Sequence, residues 1–230
     1  MIVFDLDDTL YKEFTYVDSG IRAVAADAEE AGIMPASKAY DLVKNAPDTA
    51  SGFDRLAAIA LESETYELFD IQRMLAVYRY HIPEITLPLE SRQLLDSLKT
   101  AGITLGLITD GRSLSQRAKI RTLELDTYIP SENILISGEI GSDKHWPTAY
   151  ELMMKRNPSE KSFTYIGDNP DKDFYWPNKL GWKTVMLRDT DCVNIHPQRL
   201  SEIPGSQYEA QYTIDSLSDL LDIPGIRYDD

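Results

Sequence analysis

Short apolar runs bounded by turn-forming residues recur along the chain and predict buried β-strands. These runs occupy residues 2–4, 103–108, 134–136, 163–166, 184–187 and 212–214. Between the later runs, the apolar positions of segments 91–101, 113–123, 148–155 and 216–221 repeat at helical spacing. Alternating strands and helices are typical of a parallel sheet with right-handed crossovers. The pattern therefore predicts an α/β fold built on a parallel sheet.

Residues 14–87 break this alternation, because they contain several helical patterns and no convincing strand. The helical patterns cover residues 17–31, 38–45, 53–61 and 68–80. Since one predicted strand precedes this segment and the others follow it, we expect an all-helical subdomain inserted after the first strand. Pro83 and Pro88 mark the return linker, because proline interrupts helices and favours extended neighbours. We place the core domain at residues 1–14 and 87–230 and the helical subdomain at residues 15–86.

Charge and cysteine content narrow the class of protein. The 230 residues include 23 Lys and Arg against 38 Asp and Glu, a net charge of -15, which disfavours nucleic acid as a partner. A small anion can still bind where local groups reverse the overall field. The single cysteine, Cys192, excludes an internal disulfide and suits a reducing compartment. With no signal-peptide pattern or membrane-length apolar stretch, we expect a cytoplasmic protein, and its oligomeric state stays open.

Acidic residues follow the first predicted strand in a D-x-D-x-T pattern formed by Asp5, Asp7 and Thr9. Carboxylates at the carboxyl end of a parallel strand face the crevice where open α/β sheets bind ligands. Taken alone, the pattern is equally compatible with solvated acids in a turn, one of them capping a helix.

Two further predicted strands end in polar residues. Thr109, Asp110 and Gly111 offer a hydroxyl and an unhindered backbone, which suit an oxyanion, although the same tripeptide forms ordinary turns. After the run at 163–166 come Asp168 and Asp173, which supply the hard oxygen ligands that Mg²⁺ prefers. A helix-capping turn is the alternative for Asp173.

Lys144 lies in a loop before the helical pattern at 148–155. A lone lysine usually faces solvent, but a site that holds several carboxylates and a phosphate needs a cation. Arg112 follows Thr109, Asp110 and Gly111 in the loop after the predicted strand at 103–108, and it is a candidate substrate contact. Tyr11 and Tyr16, just beyond the first acidic pattern, are further candidates, with simple packing as the alternative.

These pieces, in this order and at these strand ends, resemble the haloacid dehalogenase-like (HAD) superfamily of hydrolases. Its four motifs match DLDDT at residues 5–9, Thr109, Lys144 and GDNPDKD at residues 167–173, and the resemblance covers the whole chain. It implies a Rossmann-like parallel-sheet core with an inserted all-helical cap of the C1 type. The dehalogenases of the superfamily use no metal and lack the second aspartate of the first motif. The presence of Asp7, Asp168 and Asp173 therefore favours the phosphatase branch.

The resemblance also implies roles for the matched residues. Asp5 would attack phosphorus and form an aspartyl-phosphate. Asp7 would act as general acid and then general base, with a pKa raised by its acidic surroundings. Thr109 and Lys144 would bind the phosphoryl oxygens.

The implied cofactor is Mg²⁺, held by Asp5, the backbone carbonyl of Asp7 and Asp168, with Asp173 supporting the metal-bound waters or Lys144. Gly111, Arg112, Tyr11 and Tyr16 remain candidate substrate contacts. We therefore expect a Mg²⁺-dependent phosphatase whose partner is a small phosphorylated metabolite, such as a sugar phosphate or nucleotide. A phosphomutase or phosphotransferase using the same site is the alternative, and a non-catalytic phosphate-binding protein is a less favoured one.

Overall fold

A computed structural model describes residues 1–62, 69–198 and 205–226. It divides the chain into two compact units. The core unit comprises Met1–Glu13 and Thr86–Asp230, and the helical unit comprises Phe14–Ile85. The predicted fold class, a Rossmann-like α/β core with an inserted all-helical segment, is confirmed.

The core unit is built on a six-stranded sheet in which every neighbouring pair of strands is parallel. The strands are β1 (Ile2–Phe4), β2 (Leu105–Thr109), β3 (Ile134–Ile136), β4 (Thr164–Gly167), β5 (Lys183–Leu187) and β6 (Tyr212–Ile214). Their order across the sheet is β3-β2-β1-β4-β5-β6. Val3 in β1 lies between Gly106 in β2 and Tyr165 in β4. Strand order therefore changes direction at β1, which places a crevice between the ends of β1 and β4.

The helical unit contains four helices among its described residues. They are α1 (Glu13–Glu30), which begins at the last residue of the core unit's first segment, α2 (Ala36–Lys44), α3 (Thr49–Leu61) and α4 (Ile71–Tyr80). Their apolar faces meet in one cluster that includes Val24, Phe53, Leu56 and Met74. These side chains are fully or almost fully buried, so apolar packing stabilises this unit.

The core unit contributes five further α-helices in the part of the chain that is described. They are α5 (Leu89–Thr100), α6 (Ser113–Thr122), α7 (Ser137–Ile140), α8 (Thr148–Arg156) and α9 (Tyr175–Lys179). Segment Leu217–Asp222, where the pattern predicts an α-helix at 216–221, forms a 3₁₀ helix with Ser216 and Asp219 in a capping box. In the described ranges, every helix is too short or too polar to cross a membrane.

One apolar cluster of the core unit packs against the sheet and includes Val3, Ile108, Tyr150, Tyr165 and Trp182. The ring of Tyr150 meets those of Tyr165 and Trp182 edge-on, at centroid distances of 5.5 and 5.7 Å. This aromatic packing fixes the strands whose ends carry the candidate site.

Candidate active site

The carboxyl ends of three adjacent strands bring the predicted motif residues together. Asp5 directly follows β1, Thr109 ends β2 and Asp168 directly follows β4. Because β1 lies between β2 and β4, these side chains meet at one edge of the sheet. The cleft there has a volume of about 90 Å³. Its lining comprises Asp5, Asp7, Asp8, Glu13, Thr109, Asp110, Asp168, Asn169, Lys172 and His196.

Lys144 lies between two carboxylates in the buried part of this site. Its Nζ donates hydrogen bonds to Asp5 Oδ1 at 2.5 Å and to Asp173 Oδ1 at 2.8 Å, and its side chain is 1% exposed. Burial by itself lowers the pKa of Lys144, but Asp173 and Asp5 outweigh this and raise it well above its usual value. Lys144 is therefore a permanent ammonium next to the candidate nucleophile.

Backbone contacts hold Lys144 and its partner Asp173 in place. The Lys144 N–H donates to Asp110 Oδ1 at 3.2 Å, which anchors its loop to the end of β2. The Asn169 N–H donates to Asp173 Oδ2 at 2.9 Å. At Gly167 a Cβ atom would collide with the Asp173 carboxylate, so this close approach requires glycine.

The carboxylates of Asp5, Asp168 and Asp173 form a cluster that could hold a metal ion, because one oxygen from each lies within 4.8 Å of the others. Burial, followed by repulsion from Asp173, raises the pKa of Asp5 to about 7. Burial, Asp173 and Asp5 raise the pKa of Asp168 to about 9. The raised pKa values show that these crowded carboxylates disfavour full ionisation when no metal is bound. A divalent cation with oxygen ligands would relieve their repulsion.

Asp7 lies in a different environment from the one that the sequence predicts. Its Oδ1 accepts hydrogen bonds from Tyr11 Oη at 2.6 Å and Lys119 Nζ at 2.7 Å, and its Oδ2 accepts one from Gln116 Nε2 at 2.8 Å. Burial raises the pKa of Asp7, but Lys119 and the hydrogen bonds outweigh burial and lower it. The expected upward shift is therefore wrong, because the neighbour that dominates is a buried lysine rather than another acid.

Lys119 and Gln116 are further residues of the site, outside the motifs predicted from the sequence. Both lie on α6 and are buried, at 3% and 2% exposure. Gln116 Nε2 also donates to Thr109 Oγ1 at 2.6 Å. The signal was present in the helical spacing, since 116 and 119 share a face with the buried Ile120 and Leu123. Polar residues on an apolar face point to a specific buried partner.

The loop that follows β5 also reaches the site, although no sequence motif marks it. Asn194 Nδ2 donates to Asp168 Oδ2 at 2.8 Å, and Gln198 Nε2 donates to the Asp168 carbonyl at 2.7 Å. Asp8, which has a positive φ of 57°, accepts hydrogen bonds from the N–H groups of Glu13 and Ile195, both at 2.9 Å. These contacts fasten the loop to the residues that follow β1 and β4.

Of the candidate substrate contacts, the structure brings only Tyr11 to the side chains of the cleft, through Asp7. Gly111 and Arg112 are exposed and do not line the cleft, and the Gly111 N–H donates to Ser137 Oγ at 2.9 Å. Tyr16 is buried in the helical unit, with its ring next to those of Tyr78 and His81. Contact of these four residues with a substrate stays a prediction.

Comparisons with known proteins agree with this geometry. The family model described as haloacid dehalogenase-like hydrolase matches residues 2–187. A protein of Methanocaldococcus jannaschii named glyceraldehyde 3-phosphate phosphatase is 28% identical, and the match covers 96% of this chain and 95% of that protein. A protein of Halopiger xanaduensis named ribulose-1,5-bisphosphate 5-phosphatase is 22% identical, with coverage of 96% and 98%. The fold is similar to that of a Bacillus subtilis HAD-hydrolase solved bound to magnesium, with a TM-score of 0.64, 18% identity and 96% coverage of both chains.

Proposed function

The chain belongs to the haloacid dehalogenase-like hydrolase family, and from that premise we propose that it hydrolyses a small sugar-phosphate monoester through a phosphorylated Asp5. The enzyme class, phosphoric monoester hydrolase, is confirmed by the phosphatase relatives that match nearly the whole chain. The observation that carries the proposed mechanism is the position of Asp5. Asp5 lies at the point where strand order reverses, and it accepts a hydrogen bond from the buried ammonium of Lys144.

In the first step, an Asp5 carboxylate oxygen attacks phosphorus and the bond from phosphorus to the leaving oxygen breaks. Asp7, which the second step leaves protonated, gives its proton to the leaving oxygen, so the sugar departs as an alcohol. The hydrogen bonds from Lys119, Tyr11 and Gln116 stabilise the carboxylate that remains. The Lys144 ammonium and the Thr109 hydroxyl stabilise the negative charge on the phosphoryl oxygens.

In the second step, a water oxygen attacks the phosphorus of the aspartyl-phosphate and its proton passes to Asp7. The bond between phosphorus and the Asp5 oxygen breaks, which restores the Asp5 carboxylate and releases inorganic phosphate. Asp7 is then protonated and ready for the next leaving group. Water rather than a sugar hydroxyl is the acceptor in this proposal.

The donor set fits Mg²⁺, because it consists of carboxylate oxygens crowded into a buried site. Asp5, Asp168 and the backbone carbonyl of Asp7 would hold the ion, which would supply positive charge for the phosphoryl oxygens. Asp173 has a different task here, since its Oδ1 accepts from Lys144 and its Oδ2 from the Asn169 N–H. It would keep the lysine beside the nucleophile.

The proposed substrate class is a sugar phosphate of three to five carbons, because the relatives are named for such compounds. The cleft in the core unit is lined by Asp5, Asp7 and Thr109, so it would receive the phosphoryl group. Selection of the sugar would depend on residues outside the four motifs.

The experiment is free-phosphate release from glyceraldehyde 3-phosphate, ribulose 1,5-bisphosphate, nucleoside monophosphates and p-nitrophenyl phosphate, with Mg²⁺ or with a chelator. Asp5→Asn is the matched control, because it keeps the size of the side chain and removes the nucleophile. We expect metal-dependent release that falls by at least about 10⁴-fold in Asp5→Asn, the scale seen when a covalent nucleophile is removed. Turnover of the variant close to that of the wild type would contradict the proposal, and an isomeric phosphate without free phosphate would indicate a mutase.

A further inference from the structure

The carboxylate of Asp7 has no freedom to rotate, because donors hold both of its oxygens. Tyr11 and Lys119 donate to Oδ1, and Gln116 donates to Oδ2, at distances between 2.6 and 2.8 Å. Charge-assisted hydrogen bonds of this length are among the stronger ones in proteins. Two of the three donors come from α6, a helix that carries none of the four family motifs.

Lys119 is the more deeply buried partner of its ion pair with Asp7. The Lys119 side chain is 4% exposed, and the second carboxylate that it contacts, Glu13 Oε1, is 3.4 Å away. A buried ion pair contributes little net stability compared with apolar side chains of the same volume. Stability therefore does not explain a lysine at this place, whereas an effect on Asp7 does.

Gln116 connects Asp7 with the residue predicted to bind phosphate. Its Nε2 lies 2.8 Å from Asp7 Oδ2 and 2.6 Å from Thr109 Oγ1, so the two amide protons serve two acceptors. A hydroxyl that accepts from Gln116 keeps its own proton for donation to a phosphoryl oxygen. The Gln116 side chain packs over Gly111, where a Cβ atom would lie 2.9 Å from Gln116 Cγ.

We propose that Lys119 and Gln116 are positioning residues for proton transfer, which hold the Asp7 carboxyl at the leaving oxygen and the Thr109 hydroxyl as a donor. This inference rests on the proposed phosphatase function. Proton transfer requires the acid within hydrogen-bond reach of the leaving oxygen. A carboxyl that is free to turn spends most of its time outside that geometry. The Lys119 ammonium also stabilises the Asp7 carboxylate that forms as the proton leaves. Loss of these donors therefore slows the step that needs the proton.

The test is Lys119→Met, measured as kcat/KM for two esters that differ in their need for an acid. Glyceraldehyde 3-phosphate has an alkoxide leaving group that must be protonated, whereas p-nitrophenolate leaves without a proton. Since kcat/KM reports only the steps up to departure of the leaving group, later hydrolysis of the aspartyl-phosphate does not obscure the comparison. We expect a fall of about 10- to 100-fold for glyceraldehyde 3-phosphate and of less than about threefold for p-nitrophenyl phosphate.

Arg117→Met is the matched control, because Arg117 lies on the same helix and forms an ion pair with Glu139 away from Asp7. It should leave both kcat/KM values within about twofold of the wild type. Gln116→Met provides a second variant that keeps the charge of Lys119. It should give the same difference between the two esters, together with a higher KM for both through Thr109.

A cycle with Asp7→Asn separates positioning from a general structural effect. In the Asp7→Asn background, Lys119→Met should change kcat/KM for glyceraldehyde 3-phosphate by less than about twofold, because the group it acts through is gone. Equal losses for both esters, or an undiminished loss in the Asp7→Asn background, would overturn the inference. Turnover by the wild type and by Asp5→Asn is measured first. A wild type that releases no phosphate, or an Asp5→Asn variant that retains turnover, would contradict the proposed function itself and therefore this inference as well.

Discussion

Among the described residues, the core unit has ion pairs with a buried lysine as well as exposed ones, whereas the cations in the ion pairs of the helical unit are exposed. At the candidate active site of the core unit, Lys144 and Lys119 are almost fully buried, and each forms ion pairs with two carboxylates. In the described part of the helical unit, the ion pairs lie at the surface. Arg73 pairs with Asp27 at 2.6 Å while its side chain is 39% exposed. The interior of that unit is filled by apolar side chains instead.

This difference distinguishes the apolar packing that stabilises the fold from the buried ion pairs that mark the functional site. Burying an ammonium and its carboxylates costs desolvation energy that their attraction only offsets when the geometry is good. The helical unit forms its core without buried ion pairs among its described residues, so such groups are not needed for folding as such. Their concentration at one edge of the sheet marks that edge as the functional part of the core unit.

The largest effect that would test this comparison is expected for Lys144→Met. The substitution leaves the carboxylates of Asp5 and Asp173 facing each other without the ammonium. We expect kcat for phosphate release to fall by at least about 10³-fold. The free energy of unfolding in urea, measured without metal, should fall by about 3–5 kcal/mol, the scale for breaking a buried pair.

Lys172→Met is the matched control for stability. Lys172 also faces an acid at this site, Asp110 Oδ2 at 3.5 Å, but its side chain is 24% exposed. Its loss should cost less than about 1 kcal/mol. Equal stability losses in the two lysine variants would show that burial does not distinguish them.

An effect of intermediate size is expected in the helical unit for Leu56→Ala. Leu56 is fully buried in the cluster of α1–α4, so the substitution leaves a cavity. We expect the free energy of unfolding to fall by about 2–5 kcal/mol, measured by urea denaturation with hydrogen exchange to locate the loss. Leu61→Ala on the same helix is the control, because Leu61 is 57% exposed and its truncation should cost at most about 0.5 kcal/mol. Similar losses for both variants would show that α3 is not held by its apolar face.

Most of the fold is predictable from the sequence because buried parallel strands read as apolar runs. The bounds of β1, β3 and β6 agree with the predicted runs, whereas β2 begins two residues later than its run. The start of α1 at Glu13 rather than 17 is not predictable locally, since its first N–H bonds to Asp8, five residues upstream. Helix α9 escapes prediction because it has five residues and contains Pro177.

The candidate site likewise has residues that are predictable from the sequence and residues that are not. Asp5, Thr109 and Asp168 are predictable because each lies at the end of an apolar run, and the topology brings such ends together. The helical spacing places Gln116 and Lys119 on a buried face, but only the tertiary structure shows that Asp7 is their partner. The pKa direction of Asp7 depends on Lys119, so it could not follow from the acidic motif alone.

The smallest expected effect concerns Asp18, the centre of a surface cluster in the helical unit. Burial raises the pKa of Asp18, but hydrogen bonds from Tyr40, Lys44 and Arg22 outweigh it and lower the pKa from 3.8 to about 2. A carboxyl whose folded pKa lies below its unfolded value stabilises the fold above the unfolded pKa. That contribution is lost as the pH falls from about 4 through about 2.

Because the partners of Asp18 are largely exposed, with Lys44 at 44% and Arg22 at 58%, solvent screens the cluster. We therefore expect Asp18→Asn to lower the free energy of unfolding at pH 7 by less than about 1 kcal/mol. The difference from the wild type should shrink as urea unfolding is repeated from pH 5 down to about pH 2, where Asp18 is protonated. Added salt at pH 7 should reduce it in the same way.

Asp54→Asn, at an exposed position of α3, is the control. If the difference in the free energy of unfolding between the wild type and Asp18→Asn stays constant with pH, the ionised carboxylate of Asp18 contributes nothing to stability. The helical unit would then depend on its apolar core alone, without help from this surface cluster.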